Sequence, residues 1–286
     1  MTAWDTTHNG HFSAIEHDIA YEFLNIGGPG ERPFVMITGY NFWPSCYRRL
    51  GKELVATGVI DEFVSPHMRH HQGKPFLKEE ECVTHACGFV KSFVDEGPFV
   101  LAGHSWGGAV AMKTTTALER EGKPPAAVVL VNPALPRRYS PPELLARALT
   151  GHIEESYALD GIVGATYTAG LYVRRLLKNP IVRWRGMHVV TRYAWPEPVK
   201  VPALVLLSEK DRLFAYKEDD VAAFRKVFPH KDTDVRLLKR KTHNFPLREP
   251  ELLATMIAEY LISQAPTRPR GRGGRARRPC SEAAVL

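Results

Sequence analysis

Pro98-Phe-Val-Leu-Ala-Gly-His-Ser-Trp-Gly-Gly108 reads as a buried strand, a sharp turn and the start of a helix. The apolar run Pro98 to Ala102 leads into Gly103-His104-Ser105-Trp106-Gly107, and Gly108 to Glu121 has helical character. A serine on so tight a strand-to-helix turn projects its hydroxyl away from the sheet, and only small neighbours tolerate the crowding, hence glycine at both flanks. The helix that begins there aims free backbone N–H groups and its positive dipole end at the space where an oxyanion would form. In that context Ser105 is a candidate nucleophile.

Outward from this turn, strands and helices alternate. Upstream, Phe12–Glu16 and Ile19–Ile26 suggest a leading hairpin, and Gly27 to Gly30 a turn. Phe34–Thr38 then reads as an apolar strand, Tyr47–Thr57 as a helix, Ile60–Ser65 as a strand and Lys78–Val94 as a helix. Downstream, the strand Ala127–Val131 stops at Asn132-Pro133. From Pro136 to Pro198 only helical pieces appear, rich in aromatics (Tyr157, Tyr167, Tyr172, Trp184, Tyr193, Trp195). Strands return at Val201–Leu207 and Val235–Leu238, with helices at Asp219–Val227 and Glu249–Ile262. This order predicts an α/β fold with a mostly parallel sheet covered by helices on both faces. It also predicts the organisation of the chain: a first core half over 1–135, a helical lid insertion over 136–198, a second core half over 199–263 and a tail over 264–286.

Composition narrows the class. At 286 residues and 44% hydrophobic content, one sizeable core suffices. No stretch approaches the ~20 apolar residues of a membrane span, and Met1 to Gly10 does not have the form of a secretory signal. Cysteines 46, 82, 87 and 280 show neither C-x-x-C spacing nor a dense framework, which suits free thiols in a reducing cytoplasm. The net charge of +7 belongs mostly to the end of the chain: Pro266 to Leu286 holds six arginines against Glu282, or +5, leaving +2 for the rest. That segment has no apolar periodicity and reads as a disordered basic tail, so the charge is no argument for nucleic-acid binding.

Four pieces occur in a fixed order: Ile37-Thr-Gly-Tyr40, Gly103-His-Ser-Trp-Gly107, Leu206-Leu-Ser-Glu-Lys-Asp211 and Thr242-His-Asn-Phe-Pro246. Over residues 12 to 263 the chain therefore resembles the α/β-hydrolase superfamily, in its serine-nucleophile branch. Gly97 to Gly108 and Ser45 to Leu54 look more like the thioesterases of polyketide and nonribosomal peptide assembly. Two departures stand out. Integrated thioesterase domains commonly carry their acid where this chain has Asn132, whereas stand-alone editing thioesterases use the later position, as Asp211 would. The loop Pro66 to Lys74 is closer to that of generic lipases.

The resemblance implies roles. Ser105 would be the nucleophile, His243 the base and Asp211 the carboxylate that orients it, with Glu209 the nearest substitute. The backbone N–H groups of Tyr40 and Trp106 would form the oxyanion hole, where side-chain identity is irrelevant. His104 would pack under the turn. A serine at the elbow argues against epoxide-hydrolase chemistry, which in this fold uses an aspartate. His67, His70 and His71 have no acidic or sulfur ligand nearby, so neither metal nor cofactor is expected. Arg174, Arg175, Arg183 and Arg185 could meet an acidic carrier protein or the phosphate of a pantetheine arm. The expected activity is hydrolysis of an ester or thioester of a hydrophobic acyl group; the alternative is a non-hydrolytic member of the fold, such as a cyclase, lyase or ligand-binding module.

Overall fold

The computed structural model describes residues 7–14, 19–27, 32–40, 42–68, 78–94, 97–136, 139–178 and 180–264. Its strands are β1 (Thr7–Ala14), β2 (Ile19–Gly27), β3 (Pro33–Ile37), β4 (Glu62–Pro66), β5 (Val100–His104), β6 (Ala127–Val131), β7 (Ala203–Ser208) and β8 (Asp234–Leu238). They form one sheet in the order β1-β2-β4-β3-β5-β6-β7-β8. The pairs β1–β2 and β2–β4 are antiparallel, and all pairs from β4 to β8 are parallel.

Parallel strands are buried on both faces, which explains the unbroken apolar runs. Along β3, Val35 and Ile37 point to one face and Phe34 and Met36 to the other, and each set enters a separate core. On the first face lie α2 (Glu79–Phe93), α3 (Trp106–Arg120) and α6 (Glu218–Val227), which contribute Phe89, Val110, Met112 and Phe224. On the second lie α1 (Arg48–Ala56) and α8 (Pro250–Gln264), with Leu50, Leu54, Leu253 and Ile257. Each such side chain, once fully buried, stabilises the fold by ~1.5–3 kcal/mol.

Between β6 and β7 the chain is helical: α4 (Pro141–Lys178) and α5 (Pro180–Arg192). Gly161 leaves helical geometry and breaks α4 in two. A one-turn helix, α7 (Phe245–Arg248), precedes α8. No helix among the described residues is long and apolar enough to cross a membrane.

Boundaries differ from the sequence expectation where backbone pairing, not apolarity, sets them. β1 starts at Thr7 rather than Phe12, because polar Thr7 to Gly10 still pair with Ile26 to Phe23 through the main chain. The helix after the serine starts at Trp106 rather than Gly108, since only Ser105 itself is non-helical at the turn. Most of the turn expected at Gly27–Gly30, part of the Pro66–Lys74 loop and the basic tail lie outside the described residues.

Candidate active site

The candidate residues follow the carboxyl ends of three strands in the parallel part of the sheet: Ser105 after β5, Asp211 after β7, His243 after β8. Ser105 holds φ 56° and ψ −126°, a conformation that a non-glycine residue adopts only when its surroundings impose it. The surroundings are the two flanking glycines. A methyl on Gly103 would stand 2.3 Å from the carbonyl oxygen of Gly107, and one on Gly107 would stand 2.2 Å from that of Ile37. The turn therefore closes against β3 with no space for a side chain.

Ser105, Asp211 and His243 are all buried. His243 Nδ1 lies 2.7 Å from Asp211 Oδ2, and His243 Nε2 lies 3.0 Å from Ser105 Oγ. Asp211 is itself anchored: its Oδ1 accepts the backbone N–H groups of Leu213 (2.7 Å) and Phe214 (2.9 Å). A carboxylate can only accept, so Nδ1 carries the imidazole proton and Nε2 offers its lone pair to the serine hydroxyl. Phe214 packs against the His243 ring at 5.5 Å between centroids. Glu209, the substitute for Asp211, instead accepts the backbone N–H of Arg240 at the exposed rim.

Tyr40 ends the segment after β3, and Trp106 is the first residue of α3. Gly39, next to Tyr40, is packed so closely on the elbow that a Cβ there would sit 3.0 Å from Ser105 Cβ. Both proposed oxyanion donors thus flank the nucleophile. The Tyr40 ring is half-buried against the core, and the Trp106 indole is buried edge-on to Tyr193. Among the described residues no group of His, Cys, Asp or Glu could hold a metal ion. His67 lies edge-on to Trp43, and His70 and His71 fall outside the described residues.

The insertion reaches the site through residues that periodicity alone does not reveal. Asn244 Nδ2 donates to His152 Nδ1 at 2.8 Å and to the Glu155 carboxylate, both on α4. Arg248 stands 3.6 Å from the same carboxylate, and the His152 ring lies 6.5 Å from that of His243.

This fold and this elbow define the class: the chain has the α/β-hydrolase fold, with a serine at the turn between β5 and α3. Nearer likeness is to thioesterases, since a family model described as "Thioesterase domain" matches residues 39–156. Among solved structures, it is similar to YbtT, a type II thioesterase from the yersiniabactin NRPS/PKS biosynthetic pathway, at 20% identity and TM-score 0.60 over 82% of this chain and 94% of that one. It is similar to a membrane phospholipase A at 15% identity and TM-score 0.69, covering 91% and 87% of the two chains. It is also similar to an epoxide hydrolase from Vigna radiata at 16% identity and TM-score 0.65, covering 92% and 100%. At such identities the solved structures share the fold alone. No curated protein sequence matches significantly.

Proposed function

We propose that the protein is a serine hydrolase that cleaves a thioester of a hydrophobic acyl group by way of an acyl-enzyme. The observation that carries the reading is the span of one buried imidazole, 3.0 Å from a serine hydroxyl at one nitrogen and 2.7 Å from a carboxylate at the other. In the first step Ser105 Oγ attacks the acyl carbonyl carbon while its proton passes to His243 Nε2. The imidazolium is held by Asp211, and the oxyanion accepts the N–H groups of Tyr40 and Trp106. Collapse of the tetrahedral intermediate expels the thiol, which takes the proton from His243. Water then attacks the acyl-serine, His243 takes its proton, and the carboxylic acid departs as Ser105 recovers its hydrogen.

Support for a thioester over an oxygen ester comes from the match of residues 39–156 to thioesterase domains and from the likeness to YbtT and ClbQ, which belong to NRPS/PKS pathways. In the proposal, residues 136–198 are the lid over the acyl chain. The insertion exposes both apolar and basic side chains: Ile162, Val163, Tyr167 and Leu177, and also Arg174 and Arg185. Such a surface suits an acidic carrier protein presenting its acyl group on a pantetheine arm. A cytoplasmic setting fits the free thiols at Cys46, Cys82 and Cys87.

A fluorophosphonate probe tests the mechanism. Labelling of folded wild-type protein, lost in Ser105→Ala and His243→Ala, is the expected result. Absence of labelling in the wild type would sink the hydrolase reading and favour a binding module, cyclase or lyase. Substrate class is tested by rates over matched acyl-thioesters and acyl-esters of rising chain length, with thioesters of long chains expected to turn over fastest.

A further inference from the structure

One buried chain of hydrogen bonds, outside the Ser105–His243–Asp211 set, touches every segment that contributes to the site. It converges on a single atom, the backbone carbonyl oxygen of His243. That oxygen accepts from His104 Nε2 at 3.0 Å and from Asn132 Nδ2 at 3.0 Å. On one side, the other nitrogen of His104 accepts the Tyr47 hydroxyl at 2.6 Å, and Tyr47 Oη in turn accepts the N–H of Gly39 at a long 3.5 Å. On the other, Asn132 Nδ2 also donates to the carbonyl of Thr242 at 3.2 Å, while its Oδ1 accepts the N–H of Ser208 at 2.8 Å. Tyr47, His104 and Asn132 have no exposed surface at all.

We propose that Tyr47, His104 and Asn132 are positioning residues that hold the His243 main chain, and through it the imidazole, in line between Ser105 and Asp211. The proposal rests on the serine-hydrolase reading above. Its logic is geometric. His243 sits on a loop between β8 and α7, where nothing in the ladder of the sheet fixes its backbone. Two donors from different strand ends grip its carbonyl instead. His104 adjoins the nucleophile, Gly39 adjoins the oxyanion donor Tyr40, and Ser208 is the end of the strand that leads to Asp211. The network therefore sets the base relative to all its partners at once.

The protonation states are determined by the partners. A carbonyl only accepts, so His104 must carry its proton on Nε2 and leave Nδ1 to receive the Tyr47 O–H. Burial pushes the His104 imidazole well below its ordinary range, and the neighbouring His243 adds to this. Burial likewise pushes the Tyr47 phenol well above its own. Both stay neutral near pH 7, so the imidazolium that forms on His243, whose ring is 5.0 Å from that of His104, meets no second positive charge there. Asn132 has φ +45°, a left-handed conformation that asparagine tolerates better than most residues.

The test uses substitutions that remove a donor without removing the shape. Tyr47→Phe deletes one hydroxyl, and Asn132→Gly deletes the amide while leaving the left-handed backbone unstrained. His104→Leu removes both ring nitrogens, and His104→Gln restores a donor within reach of the carbonyl. The expected kcat losses are ~10-fold for Tyr47→Phe and about 100-fold for Asn132→Gly and His104→Leu, as small misplacements of a reacting group cause. KM of Tyr47→Phe should be unchanged and its melting midpoint only slightly lowered, by the buried imidazole nitrogen left without its donor, and His104→Gln should recover most of the rate. The direct readout is the downfield proton resonance of His243 Nδ1–H, assigned by its loss in Asp211→Asn. It should be sharp in the wild type and shifted or broadened in Tyr47→Phe and Asn132→Gly. An unchanged resonance and kcat in those two folded variants would overturn the proposal. So would rate losses that track lost stability and are not relieved by glutamine. Failure of the wild type to label at Ser105 would instead remove the parent reading, and the resonance still reports the geometry.

Discussion

Asp211 splits its work between two oxygens: Oδ1 takes the N–H groups of Leu213 and Phe214, and Oδ2 faces His243 Nδ1. Asp211→Asn should keep its amide oxygen on the two backbone donors, so the fold survives. Its NH₂ then faces Nδ1 and forces the other imidazole tautomer, which presents a proton, not a lone pair, to Ser105. We expect kcat for acyl-thioester hydrolysis to fall about 10⁴-fold with an unchanged circular dichroism spectrum. Tyr40→Phe is the contrasting case, because the proposed donor there is backbone; kcat/KM should stay within about threefold, less than ~0.7 kcal/mol of transition-state stabilisation. Ser105 was legible from its place between an apolar strand and a helix, whereas Asp211 and His243 were legible through the order of the four pieces that carry the resemblance to α/β hydrolases. What holds His243 was not legible. Its carbonyl partners His104 and Asn132 are 139 and 111 residues away, and nothing local marks Asn132 as more than a strand stop.

The elbow is an element whose sequence and geometry can be checked against each other. A Cβ on Gly107 would lie 2.2 Å from the carbonyl oxygen of Ile37 and 2.5 Å from that of Thr38, both main-chain atoms that cannot swing away. Gly107→Ala must therefore push α3 off β3 or displace Ser105 from its φ of 56°. Overpacking of this kind costs about 3 kcal/mol, and the expected outcome is a lowered denaturant midpoint together with slower fluorophosphonate labelling per folded molecule. A normal midpoint would mean that the turn has slack the contacts deny. The elbow was legible from its glycines, whereas α4 was legible only as helix. Its apolar residues are split between those that meet the core, such as Leu144, and those left exposed, such as Ile162 and Leu177. No single face can be read from such a pattern, so the contact of His152 and Glu155 with Asn244 emerges only in three dimensions.

At the scale of the molecule, the parallel sheet is a slab buried on both faces, and its least expected member is a carboxyl group inside the β2–β4 pairing. Glu62 is 6% exposed and its Oε1 accepts Asn25 Nδ2 at 2.6 Å, while Asn25 Oδ1 has no partner among the described residues. Burial raises the Glu62 pKa, and the Asn25 hydrogen bond opposes the rise only in part. A folded-state pKa above the unfolded one means that the native protein binds this proton more tightly. The resulting stability is fully present below the unfolded value of ~4.3 and is lost as pH climbs through the folded value. Glu62 therefore weakens the sheet at neutral pH. Glu62→Gln removes the charge, keeps an acceptor for Asn25 Nδ2 and supplies an N–H for the unpartnered Asn25 Oδ1. We expect it to raise Tm at pH 7 by roughly 2–4 °C, the shift that ~1 kcal/mol gives in a chain of this size. Near pH 4, where the wild-type carboxyl is already protonated, the two proteins should melt together. Thermal scans of both across that range decide the matter, and a gain that persists undiminished in acid would show that the hydrogen bonds, not the buried charge, set the difference.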